Sequence, residues 1–208
     1  MTLGTDSLKL KKDSIFKAMV HADSLKMDAQ CAETAHWAHI KAVSIFPAVN
    51  AGEFSGVIPV KNITEVPDLK QDYKLLFEMA AKNPDSVAKE LNYSLVEIAR
   101  LINLHGASGI PLNKIMPVIV VHGGALNAIS NNQRYQKKYH IDNPNIKLLA
   151  NLEKMGARVI ACGQAMAFFG FQPEDLLPAV KVSLTAQTVL SNYQLKGYVL
   201  YSIQPDQK

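Results

Sequence analysis

Two cysteines, Cys31 and Cys162, are the only thiols in a chain of 208 residues. Cys162 stands where a site is most easily built. It follows Val159, Ile160 and Ala161, an apolar run that fits a buried strand. Gly163 after it permits a tight turn. In an open α/β sheet, sites form at the carboxyl ends of strands. A thiol there that meets a helix start faces backbone N–H groups and the positive end of the helix dipole. Both favour the thiolate, the nucleophilic form of sulfur. Gln164 could add a side-chain donor. His122 closes another apolar run, Ile115 to Val121, and Gly123 and Gly124 follow it. The two glycines would let a small group approach the backbone. His122 would share the carboxyl edge with Cys162, and an imidazole beside a thiol activates the sulfur. The plainer alternatives are a packed small hydrophobe for Cys162 and a hydrogen-bonded strand-end histidine for His122.

Other chemistries lack a part. His122-Gly123-Gly124 resembles the oxyanion segment of lipases and esterases, but no G-x-S-x-G occurs. The cluster Gly106-Ala107-Ser108-Gly109 has the wrong spacing. Cys31, His36 and His39 look like metal ligands, yet a fourth is not apparent, so no metal is expected. Phe168 stands where a cysteine phosphatase loop needs arginine. Neither G-x-G-x-x-G nor G-x-x-x-x-G-K-[ST] is present, so no nucleotide is expected. The reading needs no cofactor.

The elements that must position Cys162 and His122 alternate. Tyr73 to Met79 reads as a strand. Asn83-Pro84 reads as a helix start, with Val87, Leu91, Leu95, Ile98 and Ile102 on one face and Gly106 as the stop. Ile115 to Val121 is a β-branched strand, in which Pro117 removes a ladder donor. Asn143-Pro144 repeats the cap, and Leu148, Leu149, Leu152 and Met155 form the next stripe, ended by Gly156. The Val159 strand and a short helix through Phe169 follow. A turn at Pro173 to Asp175, a strand at Ala179 to Val182, a helix from Ser183 to Leu195 and a strand at Tyr198 to Ile203 complete the pattern. Such alternation predicts a mostly parallel sheet of about five strands with helices on both faces. Residues 1–68 differ. Ile15, Phe16, Met19 and Val20, then Ala35, Trp37, Ala38, Val43 and Ile45, give patchy helical spacing, and prolines and glycines punctuate Pro47 to Pro67. We read residues 1–68 as an irregular helical arm with a linker, and 69–208 as the α/β domain.

Composition narrows the classes. Hydrophobic residues are 48%, charged residues 19%, and the net charge of +4 is modest. Lys9, Lys11 and Lys12 read as a solvated segment, so no nucleic-acid partner is expected. Two cysteines make no disulfide framework. No apolar run approaches a membrane span, and no signal peptide is visible. The expected location is cytoplasmic, with export open if a leader was removed.

From about Tyr73 to Ile203 the chain resembles the DsrE/DsrF-like sulfur-relay family, with its YchN-like and Tus-type relay members. The resemblance rests on Val120 to Leu126 (VVHGGAL), Asn151 to Met166 (NLEKMGARVIACGQAM), Pro173 to Val180 (PEDLLPAV) and Leu195 to Ile203 (LKGYVLYSI). It implies a three-layer α/β/α fold and homo-oligomers, often trimers or hexamers. It also implies that Cys162 matches the cysteine carrying persulfide sulfur between donor and acceptor proteins or small persulfides. On that reading Gly163 and the N–H groups after it stabilise the anion, Gln164 donates a further bond and His122 tunes the charge. The other reading is a non-catalytic oligomeric protein that binds a small ligand and merely packs Cys162.

Overall fold

In the computed structural model, which describes residues 3–203, five strands form one sheet. They are β1 (Tyr73–Met79), β2 (Ile115–Val121), β3 (Arg158–Cys162), β4 (Lys181–Ser183) and β5 (Val199–Ile203). Their order is β4-β3-β2-β1-β5, and every neighbouring pair is parallel. All the carboxyl ends therefore lie along one edge.

Strand alternation divides the apolar residues between two faces. Leu75, Phe77, Met79, Ile119, Val121, Val159 and Ala161 pack with Leu95, Ile98 and Ile102 of helix α2 (Tyr93–Ala107) and Leu148, Leu149 and Leu152 of helix α4 (Ile146–Lys154). Helix α5 (Gly163–Phe169) adds Met166 to the same cluster. On the other face Leu76, Val118, Val120, Ile160 and Cys162 pack against Ala186, Leu190 and Tyr193 of helix α6 (Ala186–Leu195). The result is a three-layer α/β/α sandwich. Fully burying a side chain such as Phe77 or Ile119 contributes ~1.5–3 kcal/mol, so the two clusters supply the main cohesion.

Several boundaries differ from the sequence expectation. Pro117 is harmless. The N–H of His122 donates to the Met79 carbonyl at 3.0 Å, so by alternation the Pro117 nitrogen points toward β3. Pairing with β3 begins only at Val118, so no ladder bond is lost. Helix α2 begins after Asn92, not at Asn83-Pro84. The Asn92 side chain accepts from the N–H groups of Ser94 and Leu95. Asn83 acts from a distance, accepting from the Tyr93 N–H at 2.9 Å and donating to the Leu91 carbonyl at 2.9 Å. Helix α3 (Asn132–Tyr139), capped by Asn131, has no counterpart in the expected order. Asn145, not Asn143, stands at the N-cap of α4, and Thr185 caps α6 in place of Ser183.

The chain divides into two compact units, Met1–Val43 and Ser44–Lys208. Helix α1 (Leu3–Val43) is continuous, in place of the patchy arm expected. Every described side chain from Ala18 to His39 is exposed. The expected apolar positions Ile15, Phe16 and Val20, and the lysines Lys9, Lys11 and Lys12, have side chains outside the described residues. The stretch after α1 belongs with the sandwich. Buried Asn103 of α2 accepts from the N–H groups of Ala48 and Val49 and donates to the carbonyls of Val49 and Ser55. Among the described residues, no helix is long and apolar enough to cross a membrane.

Candidate functional site at the carboxyl edge

The register sets the site. Val121 pairs with Ala161, so His122 stands level with Cys162 on strands about 4.8 Å apart. His122 keeps an extended backbone, with φ −145° and ψ −178°. Alternation therefore continues, and its side chain leaves the sheet on the α6 face, as those of Val118 and Val120 do. Cys162 emerges on that face as well, within the cluster that holds Ile160. Thiol and imidazole thus occupy neighbouring strand ends on one face, as the sequence suggested.

The row continues across the sheet. Glu78 of β1 and Ser202 of β5 pair in register and share the α6 face. The Nε2–H of His122 donates to Glu78 Oε1 at 3.1 Å, because a carboxylate oxygen only accepts. The Ser202 hydroxyl donates to Glu78 Oε2 at 2.8 Å. On the other side Ser183 pairs with Cys162, and its hydroxyl donates to the carbonyls of Ala161 and Thr185. Ser183, Cys162, Glu78 and Ser202 lie on four of the strands, and His122 directly follows β2, the fifth. Glu78 and Ser202 were not anticipated. The signal was present: Glu78 has the parity of Leu76 and lies one residue from the end of YKLLFEM.

The other expected residues fall differently. Cys162 is only 5% exposed, and its sulfur has no hydrogen-bond partner among the described residues. It occupies the N-cap position of α5 without a side-chain cap bond. The Gln164 N–H donates to the Leu184 carbonyl at 3.1 Å, so that donor is occupied. The Gln164 side chain is exposed. Gly163 answers a packing demand, since a Cβ there would lie 2.7 Å from the Ser183 carbonyl oxygen. Gly123 and Gly124 admit the protein's own chain. Gly123 has φ +57° and abuts the Ala80 carbonyl, and Gly124 lies against the Lys82 side chain. The Ala125 N–H ties this loop to Ala80 at 3.1 Å. Cys31, His36 and His39 lie exposed on α1, and the described residues assemble no group of three or more His, Cys, Asp or Glu side chains placed to hold a metal.

A second polar corner lies at the start of α2 and α4. Lys82 pairs with Asp85 at 3.0 Å, and the Tyr135 hydroxyl donates to the Ala88 carbonyl at 2.7 Å. Burial, with Tyr139 and Asp85 nearby, pushes the Tyr135 phenol up to about 12. Burial, together with the charge of Lys82, lowers the Lys138 ammonium. The Asn92 N–H donates to Asn145 Oδ1 at 2.7 Å, and Asn145 in turn bonds to Asn143. The cavity among these groups is about 20 Å³, room for a single water.

Comparison with known proteins agrees with this frame. The sequence profile of the DsrE/DsrF-like family matches residues 73–201, the whole sheet but for its last two residues. No curated relative matches the chain. Among solved structures, the chain is similar to MTH1491 from Methanobacterium thermoautotrophicum, a protein of unknown function. The identity is 19% and the TM-score 0.47, over 64% of this chain and 100% of that one. With more than half of its length inside the family's profile, the chain belongs to the DsrE/DsrF-like family.

Proposed function

We propose that this protein is a sulfur carrier, with Cys162 as the residue that holds persulfide sulfur. The family is generally linked to sulfur relay. The observation that supports the reading for this chain is the placement of Cys162 and His122 at adjacent strand ends on one face. In the first step His122 takes the Cys162 proton, giving thiolate and imidazolium. The sulfur then attacks the terminal sulfur of a donor persulfide. A bond forms between Cys162 Sγ and that sulfur, and the donor's S–S bond breaks. The departing donor thiolate takes the proton back from His122. Transfer to an acceptor thiol runs the same exchange in reverse. Donor and acceptor are proteins or small persulfides and thiols. We further propose a homo-oligomer, since Trp37 and Ile45 are among the large apolar side chains left exposed on the single chain.

A second reading has its own support. Cys162 is packed among Leu76, Val118, Val120 and Ile160, as an inert structural cysteine would be. A cavity of about 520 Å³ lies elsewhere, between α4 and residues 177–181, lined by Leu149, Arg158, Leu177 and Val180. A small-ligand-binding protein would use that space and leave the thiol alone. Alkylation of the native protein, followed by peptide mass spectrometry, separates the readings. A carrier's Cys162 labels without denaturant, alongside exposed Cys31. A packed Cys162 labels only on unfolding.

A further inference from the structure

We infer that Glu78 is a positioning residue for His122, held in place by Ser202, so that thiol, imidazole and carboxylate form a relay across three neighbouring strand ends. The inference rests on the sulfur-carrier reading of Cys162. Both Glu78 oxygens are engaged: Oε1 accepts from the His122 Nε2–H, and Oε2 accepts from the Ser202 hydroxyl. The carboxylate is therefore anchored from β5 while it orients a ring on β2. Its side chain and that of His122 are 23% and 24% exposed, half-withdrawn from water, where such a bond fixes geometry. A neutral imidazole carries one proton. With that proton on Nε2, the lone pair is on Nδ1, the ring atom left to receive a proton from the level His122 shares with Cys162. Without the carboxylate the ring is free to take the other tautomer or to turn. The proton then has no fixed acceptor, although thiol and imidazole are still present.

The surroundings contain few competitors. From α6, Ala186 and Leu190 are apolar, and Tyr193 meets Tyr198 edge to face beside Arg158, toward the amino-terminal ends of the strands. In the loop after β1, Lys82 is paired with Asp85. Glu78, His122 and Cys162 are thus the titratable side chains of the row itself.

The test is the pH profile of Cys162 alkylation by iodoacetamide in the full chain, read by peptide mass spectrometry with Cys31 as the internal reference. Each variant is read as a ratio to wild type at the same pH, so burial common to both cancels and the ratio's pH dependence reports proton removal. We expect Glu78→Gln to slow Cys162 about tenfold near neutral pH, a small part of the ~100-fold or more that a positioned base can supply. The loss should shrink as pH rises and hydroxide replaces His122 as the base that removes the thiol proton. In a His122→Ala background, Glu78→Gln should change nothing further. Ser202→Ala, the milder variant should Glu78→Gln fold poorly, should slow Cys162 about twofold with the same pH dependence, since it removes one of the two bonds that hold the carboxylate. Equal slowing at all pH values, or an unchanged effect of Glu78→Gln without His122, would overturn the inference. So would ring nitrogen shifts showing His122 protonated on Nδ1 when neutral. Incubation of the wild type with a persulfide donor tells the two failures apart. Sulfur loading with no coupling between Glu78 and His122 removes this inference alone. Coupling without loading removes the carrier reading and keeps the relay as a thiol-activating device.

Discussion

Two polar corners stand at the same edge of the sheet, and they are finished in opposite ways. At the head of α2 and α4, Asn92, Asn143, Asn145 and Tyr135 bond to one another or to backbone, around a space fit for one water. On the α6 face, Glu78 and Ser202 hold one side of His122, and beside it stands a thiol with no hydrogen-bond partner among the described residues. The bonded asparagines fix loops and helix starts, and at the head of α2 the buried Ser94 hydroxyl is left without a partner among the described residues. Under the proposed carrier reading, a corner with a thiol at one end and an anchored carboxylate at the other serves proton movement. The contrast teaches that the two corners differ in what they hold: side-chain amides bonded to backbone in one, a thiol beside an anchored imidazole in the other.

Substitutions should separate the corners by what they damage. The largest effect on stability is expected from Asn143→Ala. Its side chain donates to the carbonyls of Ala128 and Ser130 and accepts from Asn145, all buried. Stranding these groups should cost at least ~3 kcal/mol in denaturant unfolding, at ~1–3 kcal/mol for each unsatisfied buried group. A loss under about 1 kcal/mol would break the account of this corner as a structural bracket. Gly163→Ala comes next. Its Cβ would press on the Ser183 carbonyl at 2.7 Å, so a loss of ~1–3 kcal/mol is expected. A neutral result would show that β4 moves aside freely. Glu78→Gln should fall within about 1 kcal/mol of wild type, because water reaches both partners of its carboxylate. A larger loss would mean that the α6 corner, too, is a structural bracket.

The smallest effect is a titration. In the folded state burial raises the Tyr135 phenol from its ordinary value of about 10 to about 12. The folded state therefore holds that proton longer than the unfolded chain does. The contribution is complete below about pH 10 and is lost as pH rises toward about 12. Absorbance titration should show one tyrosine ionising last. If all seven tyrosines ionise together near pH 10 in the folded protein, the corner is wetter than its geometry implies.

Much of this was legible in the sequence, and the rest was lost for identifiable reasons. Apolar runs marked β1, β2, β3 and β5, because buried parallel strands carry their signal in their own residues, whereas the short, exposed β4 lies at Lys181–Ser183 and was expected at Ala179 to Val182. Cys162 and His122 were found as strand-end residues by that logic. Two kinds of feature escaped. The asparagines at 83 and 143 read as local caps, whereas their side chains bridge segments distant in the chain, and Asn92 caps α2 instead. The glycines at 123 and 124 read as openings for a small group, and Gly163 as a tight turn whose N–H groups face the sulfur. They admit the protein's own backbone and the Lys82 side chain, a demand set by loops that no spacing rule places. The pairing of Glu78 with His122 was missed because it joins residues 44 apart through the order of the strands.

The most direct test of the central claim is persulfide loading of the native protein. The full chain is incubated with a persulfide donor, and sulfur is located by peptide mass spectrometry, with Cys162→Ser and Cys31→Ser as partners. The account predicts one added sulfur on Cys162 in the folded state. That sulfur should be removed by a thiol acceptor, retained in Cys31→Ser and absent from Cys162→Ser. Sulfur found on Cys31 alone, or on Cys162 only after denaturation, would contradict it.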